Sequence, residues 1–168
     1  MGDNSLLIPA IALFACILGC VTWPFIAIFI HEIGHAIAAK LVGLSPTRLI
    51  VGHPDKSEPL FTFRWFRCSI ECWPMPFGGA TILPFNPTGR LKVLIIAIGG
   101  PACDALVILL CVSLWHHSFL RIALVPIIFC QLINALYNLT PVSSLYEGVR
   151  VPNDGKIIIE LLARKDRR

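Results

Sequence analysis

The stretch Asn4–Ile30, NSLLIPAIALFACILGCVTWPFIAIFI, holds 27 consecutive positions without a charged side chain and runs directly into His31-Glu32-Ile33-Gly34-His35. A bilayer core of about 30 Å is crossed by about 20 helical residues, so this run is long enough to span a membrane. It is too long for the apolar core of a secretory signal, and no basic segment precedes it. N-myristoylation is excluded as well, because Leu6 stands where Ser or Thr is required. Apolar character continues to Leu44. Gly19 and the Trp23-Pro24 pair predict a break or kink, which leaves open one bent span or a short extra helix ahead of the main one.

Composition points the same way. Of the 168 residues, 56% are apolar and only 14% charged, with a mean hydropathy of +0.76. Soluble domains carry roughly 25% charged residues, and a globule this small has much surface to cover with them. The net charge of +4 is too weak and too scattered for a nucleic-acid partner. Seven cysteines (16, 20, 68, 72, 103, 111 and 130) cannot all pair within one chain, and five lie in apolar stretches. They read as small buried hydrophobes and not as a disulfide framework. Cys68 and Cys72 form a C-x3-C with no second pair, so a zinc knuckle there is disfavoured.

The remainder of the chain predicts an all-α membrane protein with about three transmembrane helices. A region of turns and small β-hairpins, residues 45–90, lies between the first and second. That region carries prolines at 46, 54, 59, 74, 76, 84 and 87 and weak alternation at Leu60-Phe61-Thr62-Phe63. Further spans are expected over about Val93–Trp115, interrupted only by Asp104, and about Ile122–Tyr146. Residues 153–168 form a short C-terminal helix, and the whole chain, 1–168, reads as one core. Basic residues concentrate in 45–90 with its flanks and in the tail, whereas only Arg121 lies near the turn between the last two spans. The positive-inside rule therefore places both 45–90 and the C-terminus in the cytoplasm. The four tryptophans suit interface anchoring, and His53, His116 and His117 read as solvated surface residues.

Chemistry concentrates in His31-Glu32-Ile33-Gly34-His35. On a helix, positions i and i+4 share a face, so both imidazoles can reach one metal. Glu32, one position on, is placed to act on a water beside that metal. This is H-E-x-x-H, with zinc as the expected cofactor and Glu32 as general base. Ionisable groups at membrane depth are costly and by default functional. A catalytic zinc usually takes three protein ligands, and Asp104, Glu147 and Asp154 are the candidates for the third. Asp154 lies in Pro152-Asn153-Asp154-Gly155, a turn in which it equally well caps the following helix.

With Gly99-Gly100-Pro101, then Asn138-Leu139-Thr140-Pro141, then Asp154-Gly155, the chain from about Phe25 to Leu162 resembles the site-2 protease family of M50-type intramembrane zinc metalloproteases. The resemblance implies zinc bound by His31, His35 and Asp154, with Glu32 as catalytic base and Asn138 as a substrate or oxyanion contact. It also implies that Pro76-Phe77-Gly78-Gly79 is a hairpin near the active site that pairs with extended substrate. The pattern departs in two places. Sixteen positions separate Asn138 from Asp154 where the family has few, with Glu147-Gly148 lying nearer, and Asp104 stands where the family has Asn. Asp104 either hydrogen-bonds a metal-bound histidine from behind, fixing its tautomer, or caps its helix near the interface. There is no room for a PDZ or CBS domain, so this is a minimal form.

The expected function is zinc-dependent cleavage of a peptide bond in or near the transmembrane segment of a single-span membrane protein within the lipid bilayer. The alternatives are a catalytically silent scaffold of the same fold and a metal transporter or sensor. The latter should show internal repeats, and none is present.

Overall fold

The computed structural model describes residues 7–54, 58–65, 67–84, 87–116, 121–146 and 149–163. Its first element, α1 (Leu7–Leu41), is one continuous helix of 35 residues with Pro24 inside it. The expected break at Gly19 and Trp23-Pro24 is therefore absent. Proline costs one backbone hydrogen bond, and neighbouring helices and hydroxyls make that loss tolerable in apolar surroundings. Pro126 of a neighbouring helix packs against Gly19, next to Cys20, whose carbonyl lacks the donor that Pro24 cannot supply.

Two more long helices follow the sheet region: α2 (Arg90–Ser113), which ends in a 3-10 turn at Leu114–His116, and α3 (Arg121–Leu139). Among the described residues, only Ile17–Leu41 and Arg90–His116 are long and apolar enough to cross a membrane; the apolar part of α3, Ala123–Leu139, is shorter. The described chain thus has two candidate spans and a shorter third helix, not three full spans. The charge-free run 122–146 is not helical throughout, because the chain leaves the helix at Thr140-Pro141, where the residue before proline disfavours helical angles. It then forms a strand at Ser143–Tyr146.

The expected small hairpins between α1 and α2 are instead one mixed sheet. Strands β1 (Arg48–His53), β2 (Phe61–Trp65), β3 (Cys68–Cys72) and β4 (Met75–Ile82) assemble in the order β2-β3-β1-β4. β1 and β3 run parallel, and the other pairs are antiparallel. Cys68 and Cys72 stand at opposite ends of β3, about 13 Å apart at the rise of a strand, too far to share a metal. One face of the sheet packs on the C-terminal half of α1, where Val51 and Cys72 meet Ile28 beside Phe25 and Phe29. A second sheet pairs β5 (Ser143–Tyr146) with β6 (Val149–Pro152), and α4 (Asp154–Ala163) follows it.

The helices are apolar outside and polar within. Phe14, Val21, Leu109 and Phe129 are more than half exposed, while His31, Glu32, His35, Asp104 and Gln131 are buried. Such an inverted distribution suits a lipid surround, since a hydrocarbon solvent accepts the apolar face and leaves polar groups to pair internally. α1 and α2 cross where Gly34 faces Gly99. A Cβ on either would run into the backbone of the other, and that lack of side chains brings α2 onto the histidine face of α1.

Candidate active site

His31 and His35 project from the same face of α1 toward α2 and α4. His31 Nδ1 donates to Asp104 Oδ2 at 2.7 Å, and His35 Nδ1 donates to the Ile96 carbonyl at 2.7 Å. A carbonyl can only accept, so the His35 proton resides on Nδ1; the Gly100 amide, 3.4 Å from that nitrogen, is too long to compete. Both Nε2 atoms are then left with lone pairs, and they face one another at 3.1 Å. Asp154 Oδ2 completes a triangle, 3.0 Å from His31 Nε2 and 3.2 Å from His35 Nε2.

With each imidazole neutral and its proton on Nδ1, three acceptors converge here, a set that one shared cation would satisfy. Acceptors at this separation repel unless a cation sits among them. Tetrahedral zinc with bonds of about 2.0–2.2 Å holds its ligand atoms roughly 3.3–3.5 Å apart, slightly wider than the 3.0–3.2 Å found here. The donor set of two imidazoles and a carboxylate suits the same ion. Gly100 provides a further test: a Cβ there would lie 2.5 Å from His35 Nε2 and 2.6 Å from His31 Nε2. The helix that closes over the histidines thus carries no side chain where an ion would sit. These residues fit zinc.

Glu32 lies beside the triangle, its carboxylate within 4.8 Å of the imidazole nitrogens. The Thr81 hydroxyl reaches Glu32 Oε2 at 2.8 Å and Glu32 O at 3.0 Å. Thr81 belongs to β4, two positions after Gly79, where a Cβ would strike Ile28 Cγ2 and Glu32 Oε1. Glycine at 79 therefore lets the strand lie directly against the carboxylate. Gly78, at φ +81°, adopts a conformation that side chains disfavour. Because β4 ends the sheet order, its outer edge is unpaired within the sheet.

Asp104 is fully buried, and besides His31 it accepts from Gln131 Nε2 at 2.5 Å and lies 3.3 Å from Asn134 Nδ2. Asn138 lies on the same face of α3, with its Nδ2 donating to Asn134 O at 3.1 Å. A cavity of about 630 Å³ opens onto this group, lined by His31, Glu32, His35, Asn138 and Asp154 together with Gly78–Ile82 of β4.

Sequence reasoning missed Thr81, Gln131 and Asn134. For the last two a signal existed: Gln131, Asn134 and Asn138 recur at helical spacing in an otherwise apolar run, the pattern of a polar stripe turned inward. His53 also lines the cavity instead of standing on an open surface. Glu147, the rival third ligand, lies outside the described residues. Asp154 opens α4 but does not cap it. Asn153 occupies the cap position, its carbonyl accepting from Ile157 N at 3.1 Å.

The sequence model of peptidase family M50 matches residues 24–149, three quarters of the chain. The chain belongs to peptidase family M50. This is the site-2 protease family, and the match contains the His31-Glu32-Ile33-Gly34-His35 segment together with Asp104 and Asn138. It ends before Asp154, whose nearness to the histidines is a matter of geometry alone. A comparison with curated proteins found no match. Membership in M50 implies an intramembrane metalloprotease, and the clustered His31, Glu32 and His35 are in keeping with that chemistry.

Proposed function

We propose that this M50 peptidase is a zinc-dependent endopeptidase that cuts a peptide bond in or beside the transmembrane segment of a single-span membrane protein. The observation that carries this reading is the triangle of His31 Nε2, His35 Nε2 and Asp154 Oδ2, with the Glu32 carboxylate beside it and a cavity open to a free strand edge. His31, His35 and Asp154 would hold the ion. When bound, zinc supplies a Lewis acid that polarises the scissile carbonyl and makes water more acidic.

Glu32 takes the proton from the attacking water and returns it to the leaving nitrogen. Thr81 holds the Glu32 carboxylate by its Oε2, which keeps the other oxygen turned toward the reaction. Asp104 holds His31 in the tautomer that presents Nε2. A transmembrane helix hides its carbonyls in internal bonds, so the substrate must unwind locally before cleavage. The edge of β4, at Gly78 and Gly79, offers main-chain groups to the unwound segment. Asn138 lines the cavity, its Nδ2 held by Asn134 O and Oδ1, and contacts substrate or a developing oxyanion from there. Residues 45–90 and the C-terminus lie in the cytoplasm, where positive charge accumulates.

The test is cleavage of a designed single-span peptide of leucine and alanine with a central glycine pair, in phosphatidylcholine vesicles containing the purified protein. Wild type should cut near the glycines, whereas Glu32→Gln should retain zinc and not cut. Zinc binding without cleavage by wild type would favour a silent scaffold and overturn the reading.

A further inference from the structure

The ends of α3 and α4 touch. A Cβ on Gly155 would fall onto the Leu139 carbonyl, so the chain leaves one helix and enters the next at nearly the same point. Asp154 reaches the histidines from there. The hairpin between, β5 and β6, is not needed to bridge any distance; it is an excursion closed at its base. Asn153 N donates to Val142 O at 3.0 Å, and the strands pair from Ser143↔Pro152 to Tyr146↔Val149.

The excursion is also fastened in place. Ser144 Oγ donates to Asn153 Oδ1 at 2.9 Å, Asn153 Nδ2 to the Tyr137 carbonyl at 3.2 Å, and Lys156 Nζ to Ser143 Oγ at 2.8 Å. So held, the hairpin borders the catalytic cavity: Val142 and Ser143–Leu145 of β5 line it together with Gly78–Ile82 of β4. Leu145 is 61% exposed and Val151 43%. Apolar side chains fixed at the rim of a polar catalytic cavity do nothing for its chemistry, but they match an apolar segment lying across it.

We infer that the β5–β6 hairpin is a second wall of the substrate site. The unwound apolar segment of the substrate lies between the edge of β4 and the hairpin, with Val142 and Leu145 against its side chains. This rests on the protease reading, and deepens it by assigning selection of aliphatic substrate segments to the hairpin.

Two experiments test it with the full chain in phosphatidylcholine vesicles and the designed leucine–alanine peptide. In the first, a photoreactive benzophenone amino acid replaces Leu145, Ala80 of β4 or the lipid-facing Leu109, each in the Glu32→Gln background. Adducts on the same short stretch of peptide are expected from positions 145 and 80, with none from 109. Adducts from 80 but not 145 overturn the hairpin's role and leave the protease reading standing. Failure at both positions, with no cleavage by wild type, overturns both.

In the second, a single glycine replaces Val142–Pro152. Zinc content should persist, while kcat/KM for the membrane peptide falls at least tenfold. Unchanged cleavage, or loss of zinc, overturns the assignment.

Discussion

Asp104 Oδ2 lies 2.7 Å from His31 Nδ1, behind the nitrogen that faces His35 and Asp154. The pairing fixes the imidazole's proton on the far side from the metal triangle and raises the basicity of Nε2. Loss of such a partner costs metal affinity by about 10–100-fold. Asp104→Asn is expected to weaken zinc by at least the lower figure in competition with a fluorescent chelator. Gln131→Leu, which removes the 2.5 Å donor to the same carboxylate, should follow in the same direction with a smaller effect. Wild-type zinc affinity in Asp104→Asn would show that the contact is merely structural.

Thr81 and Glu32 form the second pair. A hydrogen bond to a charged group contributes about 1.5–3 kcal/mol, so Thr81→Val should lower kcat by roughly ten- to a hundredfold through a loosened Glu32. Zinc content should be unchanged, since Thr81 touches none of the three converging atoms. Parallel loss of zinc and turnover would assign Thr81 to the metal site instead.

The converging triangle makes a prediction about metal removal. His31→Ala, His35→Ala and Asp154→Ala should each lose stoichiometric zinc, measured by elemental analysis of the purified protein, and a chelator should stop wild-type cleavage. Gly100→Ala should do the same while leaving every donor in place, because its Cβ would stand 2.5–2.6 Å from both Nε2 atoms. Retention of full zinc by Gly100→Ala would mean that α2 can retreat from α1 despite the Gly34–Gly99 contact.

Within the four-stranded sheet, Arg48 grips Glu71 with two bonds, Nε to Oε1 at 2.6 Å and Nη2 to Oε2 at 2.7 Å. That guanidinium holds the Glu71 carboxyl below the usual range. A group whose folded value is depressed stabilises fully above its unfolded pKa, about 4.3 for glutamate, and loses that contribution as pH falls through the folded value. Thermal unfolding in detergent should therefore show wild type losing stability below about pH 4.5 more steeply than Glu71→Gln. At neutral pH the variant should be less stable by about 1 kcal/mol, near the upper range for partly exposed pairs. Identical pH slopes would remove the ion pair from the stability of the sheet.

Much of this protein was legible without coordinates. Twenty-seven uncharged positions ending in His31-Glu32-Ile33-Gly34-His35 dictate an apolar helix with two imidazoles and a carboxylate at its far end, because helical period and hydropathy are local properties. Local properties also set limits. Nothing near Pro24 says whether its lost hydrogen bond breaks α1, since that depends on how the neighbouring helices pack. A charge-free run reads as a span whether or not Pro141 ends it early. Distance along the chain likewise placed Glu147 nearer than Asp154 to Asn138-Leu139-Thr140-Pro141. Only the contact of Leu139 with Gly155, possible because Gly155 has no side chain, brings Asp154 beside His31 and His35. Only the Gly34–Gly99 crossing seats Asp104 behind His31. They join Gly34 to Gly99, His31 to Asp104 and His31 to Asp154, 65, 73 and 123 positions apart, and steric fit between helices, not sequence spacing, decides them.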